Sequence, residues 1–476
     1  VSTSGHYGLV TGEEMMSTVG TGGVRINSYL RLPYTAETLH LLPNVHFLLR
    51  SSSSRSRLFT TCSASSSKEK VIVISGPTGA GKSKLALELA KRLNGEIITA
   101  DSVQVYQGLD VGSAKPSLGD RKEVAHHLVD ILHPAEDYSV GNFFEDARQT
   151  TRDILNRGRV PIVAGGTGLY LRWFIYGKPD VPKASPGIAA EVNAELANLQ
   201  NDEDWDAAVQ LLVKAGDSAA QSLPTNNWYR LRRRLEIVKS TGSPPSAFEV
   251  PYNSFREQTD SGVTDAADVK SSANQLQKSE KKDLEYDFLC YFLSTNRMDL
   301  YRSIDFRCED MILGTDGLLS EARWLLDLGL LPNSNSATRA IGYRQAMEYL
   351  LRCRENGGWS SAGDFYGFLA EFQAASRNFA RRQMIWFRNE QIYEWIDASK
   401  PLEEVLNFIC DSYNSQDGHL QLPESLRMPK GIRNPHLVKE MKGYRTRNRH
   451  FIRREDCVDV LDWIKKIYGQ TAETLC

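Results

Sequence analysis

Gly76-Pro77-Thr78-Gly79-Ala80-Gly81-Lys82-Ser83 decides the fold. The stretch satisfies G-x-x-x-x-G-K-[ST] in full. It stands between a β-branched run, Val71-Ile72-Val73-Ile74, and a helical pattern, Lys84 to Leu93, with Leu85, Leu89 and Leu93 on one face. A strand that turns through glycines into a helix N-terminus seats a polyphosphate. The glycines let successive backbone N–H groups turn inward, and the helix end adds positive potential. Lys82 supplies a point charge, and the Ser83 hydroxyl can ligand a Mg²⁺ that bridges the phosphates. The motif leaves open whether that phosphate is hydrolysed, transferred or expelled.

Working outward, Glu96 to Ala100 reads as a second strand and ends at Asp101; Val160 to Ala164 reads as a third and ends in Gly165-Gly166-Thr167-Gly168. Strands alternating with helical segments imply βαβ units and a parallel sheet. The expected class is α/β, a P-loop NTPase-like parallel sheet flanked by helices, with a helical insertion domain and a small basic C-terminal extension. Asp101 falls where open α/β sheets place their ligands. A carboxylate there can bind Mg²⁺, act as a general base, or simply cap a turn.

The organisation follows. Residues 1–69 read as a leader, because from Met15 to Ser67 five arginines face one acid, Glu37, among clustered serines. That is the composition of a transit peptide to a plastid or mitochondrion, with an addressless leader as the alternative. Residues 70–185 form the first part of the core, 186–225 a helical insertion, and 226–252 a basic helix. Residues 253–282 read as a flexible insertion, 283–400 as the helical remainder of the core, and 401–476 as a basic extension. The chain has 476 residues with 57 Lys+Arg and 59 Asp+Glu, a net charge of -2. That balance excludes a uniformly basic binder but hides a local one: ten Lys+Arg and one acid lie between Arg427 and Arg454. Tyr444 and Phe451 among them suit stacking beside phosphate contacts. Seven scattered cysteines, an odd number without C-x-x-C spacing, read as free thiols. No apolar window is long enough to span a membrane.

At this point the motifs resemble a family, the tRNA dimethylallyltransferases. The phosphate loop is followed in family order by Asp101-Ser102-Val103-Gln104-Val105-Tyr106, Gly112 to Pro116, His127 to Asp130 and Gly165 to Tyr170. Then come Arg230 to Glu236, Ile341 to Gln345 and Arg381 to Arg388. The resemblance spans about Val71 to Glu390. It implies transfer of a dimethylallyl group from dimethylallyl diphosphate to N6 of the adenine 3′ of a tRNA anticodon, making such tRNAs a source of cis-type cytokinins. The partners implied are the anticodon stem-loop and the diphosphate, with Mg²⁺ as cofactor and a monomer as the working unit.

By motif, Asp101, Arg233 and Thr78 are the expected catalytic residues. Asp101 resembles the general base, while Thr78 and Arg233 resemble diphosphate contacts, with Arg233 neutralising charge as the C–O bond breaks. Residues Gly76 to Ser83 (Gly76, Pro77, Thr78, Gly79, Ala80, Gly81, Lys82, Ser83) would hold the diphosphate, with Ser83 on the metal. The tRNA contacts implied are Asp101, Ser102, Val103, Gln104, Thr167, Arg230, Arg233, Arg339, Gly342, Tyr343 and Arg344, and the 186–225 insertion would touch tRNA as well. The arginines of Ser376 to Arg388 can line the site or face water. Two family departures stand out: Ala189 where Arg is frequent, and a tail with no zinc-finger spacing.

Two other enzymes would share the phosphate loop. A small-molecule kinase would need a nucleotide and a second pocket. An adenylate isopentenyltransferase acting on AMP, ADP or ATP would need neither the Arg339 to Arg344 block nor a basic tail.

Overall fold

Strand β1, Lys70–Ser75, sits inside a six-stranded sheet, and Val71 to Ile74 are fully buried on both of its faces. The other strands are β2 Gly95–Ala100, β3 His126–His127, β4 Val160–Gly165, β5 Asp287–Ser294 and β6 Glu394–Asp397. Their order is β3-β2-β4-β1-β5-β6, with every pair parallel. Ile72 stands opposite Ile162 on β4 and Val73 opposite Cys290 on β5. Parallel strands need crossovers, so helices cover both faces. This computed structural model describes residues 68–202, 204–223, 225–248, 251, 284–314, 316–415, 420–428 and 443–469. The expected leader up to residue 67, the insertion at 253–282 and tail residues 429–442 lie outside the described residues.

The helices in chain order are α1 Lys82–Leu93, α2 Leu118–Glu123, α3 Val140–Asn156, α4 Gly168–Tyr176, α5 Pro186–Asn201, α6 Trp205–Lys214 and α7 Trp228–Thr241. They continue as α8 Arg297–Ile312, α9 Leu318–Asp327, α10 Tyr343–Glu355, α11 Ala362–Arg388, α12 Leu402–Asn414 and α13 Val458–Tyr468. The period-2 alternation of β1 divides its side chains between two cores. Ile72 and Ile74 pack with Leu85 and Leu89 of α1 and with Leu406 and Ile409 of α12. Val71 and Val73 pack on the opposite face with α3, α4, α8, α10 and α11. Helices α5 to α7 close a third core of their own around Val192, Leu196, Trp205, Leu212, Leu231 and Leu235. Each fully buried Leu or Ile in these clusters is worth about 1.5–3 kcal/mol of transfer free energy. Among the described residues no helix is long and apolar enough to cross a membrane, and the five described cysteines are free.

Residues 283–400 depart from the expected helical remainder. They begin with β5, which pairs directly with β1, and end with β6. Asp-Phe-Leu-Cys-Tyr-Phe-Leu-Ser, 287–294, is apolar at nearly every position because the sheet covers both its faces. Such a run carries no period of two and is indistinguishable from a buried helical turn by pattern. The stacking role expected for Phe451 is also corrected. Its ring is 2% exposed and packs against Phe365 at 4.9 Å, so it belongs to the core.

Candidate active site

The ends of β1, β2 and β4 and one face each of α8 and α11 enclose a cavity of about 530 Å³. Thr78 of the phosphate loop lines it. Gly76 has φ 154°, and a Cβ there would lie 2.6 Å from the Leu293 carbonyl oxygen, so no other residue lets the chain leave β1 this closely. Lys82 folds back, its Nζ donating to the Pro77 carbonyl at 2.9 Å, which holds the loop curled. Helix α1 begins at Gly81 with no side-chain cap and no acid in its first turn. By contrast, Ser117, Ser139 and Ser361 close capping boxes on α2, α3 and α11. The first N–H groups of α1 are therefore left for an anion. Ser83 is exposed on that first turn.

Asp101 leaves β2 at the cavity wall, its Oδ1 accepting from the Val103 N–H at 2.9 Å. Thr167 does not cap α4 with its side chain; its hydroxyl accepts from the Ser102 N–H at 3.2 Å and ties the β2 and β4 ends together. Gln383 of α11 ties the β4 end to the phosphate loop. Its Oε1 accepts from the Thr78 N–H at 2.9 Å and its Nε2 donates to the Gly166 carbonyl at 3.0 Å.

Arg307 of α8 completes the site. It lines the cavity with Thr78, Asp101 and Thr167. Burial pushes its guanidinium below the ordinary value, against the pull of Cys308 and Asp101. Burial, helped by the Arg307 charge and opposed by Asp101, lowers Lys82 to about 8. Lys82, Arg307 and one carboxylate, Asp101, thus lie within electrostatic reach of one another, and Arg339 and Arg382 line the same cavity. Opposite them, Tyr138 donates its hydroxyl to Asp146 at 2.7 Å, and the Tyr170 ring stacks on Phe143 at 4.3 Å. Ile304, Met311 and Phe379 give an apolar wall. Cys308, raised to about 12 by burial, reaches the Ser376 hydroxyl at 3.5 Å and lines the same wall as an uncharged thiol.

Of the residues expected here, Thr78, Asp101, Ser102, Val103, Thr167 and Arg339 line the cavity. Arg230 is exposed on α7, and Arg344 is partly exposed beside Glu348 at 3.7 Å; neither lines it. Arg233 is not brought to the phosphate loop. Its guanidinium reaches Glu236 at 3.1 Å and the Pro182 carbonyl at 3.1 Å. Arg307, Arg339 and Arg382 are the arginines that line the cavity, and Arg233 is not among them. Arg234 is spent on the buried Asp217 at 2.6 Å.

Three expected tRNA contacts are corrected by burial. Tyr343 is fully buried with its hydroxyl donating to Glu321 at 2.7 Å. Gly342 is buried at φ 93°, where it starts α10. Gln104 is buried and donates to the Ser113 and Ala114 carbonyls, both at 3.1 Å. The same Glu321 carboxylate accepts the N–H groups of Asp110, Val111 and Gly112, so this motif block is a loop anchor. Arg307 had one local signal. It stands on the apolar stripe Leu300, Ile304, Cys308, Met311, and a charge on the buried face of a helix needs a reason.

Comparison with known proteins identifies the family. A family model described as IPP transferase matches residues 104–390, and one described as isopentenyl transferase matches residues 69–126. The tRNA dimethylallyltransferase 9 of Arabidopsis thaliana is 65% identical over 86% of this chain and 89% of its own length. The tRNA dimethylallyltransferase of Protochlamydia amoebophila is 36% identical over 71% of this chain and 87% of its own. A solved eukaryotic dimethylallyltransferase acting on tRNA shares the fold. Its TM-score is 0.55 at 24% identity, over 76% of this chain and 82% of that one.

Proposed function

This chain belongs to the tRNA dimethylallyltransferase family, a prenyltransferase of tRNA, and on that premise we propose how its cavity does the chemistry. The acceptor is N6 of the adenine 3′ of the anticodon, unstacked from the loop so that its amine enters the cavity. N6 forms a bond to C1 of dimethylallyl diphosphate as the C1–O bond breaks. The diphosphate leaves with the bonding pair, and Asp101 takes the proton that N6 sheds.

An exocyclic amine is a weak nucleophile, so the leaving group has to be stabilised strongly. The first N–H groups of α1, Lys82 and Arg307 meet the developing charge, and Thr78 lies beside them. Ile304, Met311 and Phe379 suit the dimethylallyl chain. A Mg²⁺ fits this donor set. Ser83 offers one hard oxygen, and among the described residues no trio of His, Cys, Asp or Glu forms a protein cage. Ser83 would be the protein ligand of that ion. When bound, the ion would neutralise part of the leaving-group charge.

The observation that carries this reading is the meeting of Asp101, Thr78 and Arg307 on one cavity. The test supplies labelled dimethylallyl diphosphate with either an A-A-A anticodon stem-loop or AMP. Label is expected in the stem-loop. Label in AMP alone would overturn the reading in favour of a free-nucleotide enzyme.

A further inference from the structure

Helix α8 buries two carboxylates at helical spacing, Asp305 and Glu309, and neither lines the cavity. Both are spent on the C-terminal segment. Asp305 accepts from the Arg377 guanidinium and, at 2.6 Å, from the Tyr444 hydroxyl. Glu309 accepts the backbone N–H groups of Arg449 at 2.8 Å and His450 at 2.6 Å. Helix α11 adds the Gln373 amide to Asn448 Oδ1 at 3.1 Å and Arg377 to the Thr446 hydroxyl at 3.2 Å. Asn448 Nδ2 donates to the Phe451 carbonyl at 3.0 Å, and the Phe451 ring is locked in the core.

The anchors fall on every second residue: Tyr444, Thr446 and Asn448. Between them Arg445 and Arg447 are exposed and form no ion pair among the described residues. Burying two carboxylates costs several kcal/mol each before pairing, so such a clasp is weak as a source of net stability. It does fix the register of the strand it holds. That anchoring holds two exposed arginines, Arg445 and Arg447, at alternate positions of one segment, an arrangement that suits contacts to a nucleic-acid backbone. The segment also packs on α8 and α11, two helices that line the reaction cavity. Asp305 is next to Ile304, and Gln373 and Arg377 are next to Phe372 and Ser376, all three neighbours being cavity residues.

We infer that Tyr444 to Asn448 is a preset arginine strand that grips the phosphates of the tRNA arm entering the cavity. The inference rests on tRNA being the substrate. It is tested in the full chain with the double variant Arg445→Ala, Arg447→Ala. The expected result is a KM for tRNA about tenfold higher and a slope of log affinity on log salt shallower by about 1.5. The KM for dimethylallyl diphosphate and kcat at saturating tRNA should hold. Arg445→Lys, Arg447→Lys should restore most of the affinity, because a phosphate accepts a point charge. An unchanged tRNA KM and salt slope would overturn the inference, as would an equal rise in both KM values. Lost binding to anionic phosphatidylserine vesicles, with tRNA affinity intact, would overturn it in favour of a membrane surface. A parent chain that labels no tRNA would instead sink the premise, and filter binding of tRNA to parent and variant still decides the strand.

Discussion

Helix α8 turns buried charge in two directions, and the two differ in how completely the charge is answered. Toward the tail, Asp305 and Glu309 have their oxygens taken by Arg377, Tyr444, Arg449 and His450. Toward the cavity, Arg307 forms no ion pair among the described residues and shares its surroundings with Lys82 and a single carboxylate, Asp101. A buried charge that is fully paired holds a structure together. One that is left short of partners is waiting for a ligand, here an anion.

The most direct way to break that comparison is to remove the one base on the cavity side. Asp101→Asn keeps an acceptor for the Val103 N–H but cannot take a proton. The expected loss in kcat is about 10²–10⁴-fold, with tRNA affinity near that of the parent. Turnover within a few-fold of the parent would show that Asp101 is only a turn residue.

Arg307 separates the structure from the motif. Arg307→Ala should cost about 10²–10³-fold in kcat/KM for dimethylallyl diphosphate. Arg233→Ala, whose guanidinium is held by Glu236 and Pro182 outside the cavity, should cost less than about tenfold in the same constant. A reversed order in steady-state kinetics would mean that α7 closes onto the phosphate loop during turnover and that the comparison above concerns an open state.

Much of the site was legible where local physics is strong. The glycine loop, its flanking strand and helix, Asp101 and Thr167 all follow from short patterns, because a phosphate seat and a strand end are local objects. Tertiary burial was not legible. Tyr343, Gly342 and Gln104 sit in motif blocks that read as contacts, yet they serve the loop and helix that hold the site in place. Arg307 shows the converse, since only packing of α8 beside the phosphate loop and α11 brings it to the cavity with Thr78 and Asp101. Strand β5 was missed because complete burial erases the alternation that marks a strand. Phe451 looked like a stacking platform because its neighbours are basic, and it is core because α11 offers Phe365.

A smaller effect tests the cavity charges by pH. Burial holds Lys82 at about 8, well below an ordinary lysine. The protonated form binds diphosphate, so kcat/KM for dimethylallyl diphosphate should fall up to tenfold per pH unit as pH rises through about 8. The sign follows from the lowered value: below it the cation is present, above it the charge is gone. Lys82→Met should lower the whole profile and remove that inflection. An inflection that survives the substitution would assign the titration elsewhere.

The smallest effect lies on the answered face of α8. Tyr444→Phe removes one hydroxyl from a carboxylate that keeps Arg377 and loses no packing volume. A buried acceptor deprived of one of its donors costs about 1–2 kcal/mol, read as a lower denaturation midpoint. Kinetics for dimethylallyl diphosphate should not change, because the ring sits on Tyr301 at 5.5 Å and not in the cavity. If the substitution instead raised the KM for that substrate, the two faces of α8 would be coupled. The arginine strand would then report tRNA binding to Arg307 through the helix itself, and paired and unpaired charge would be one device.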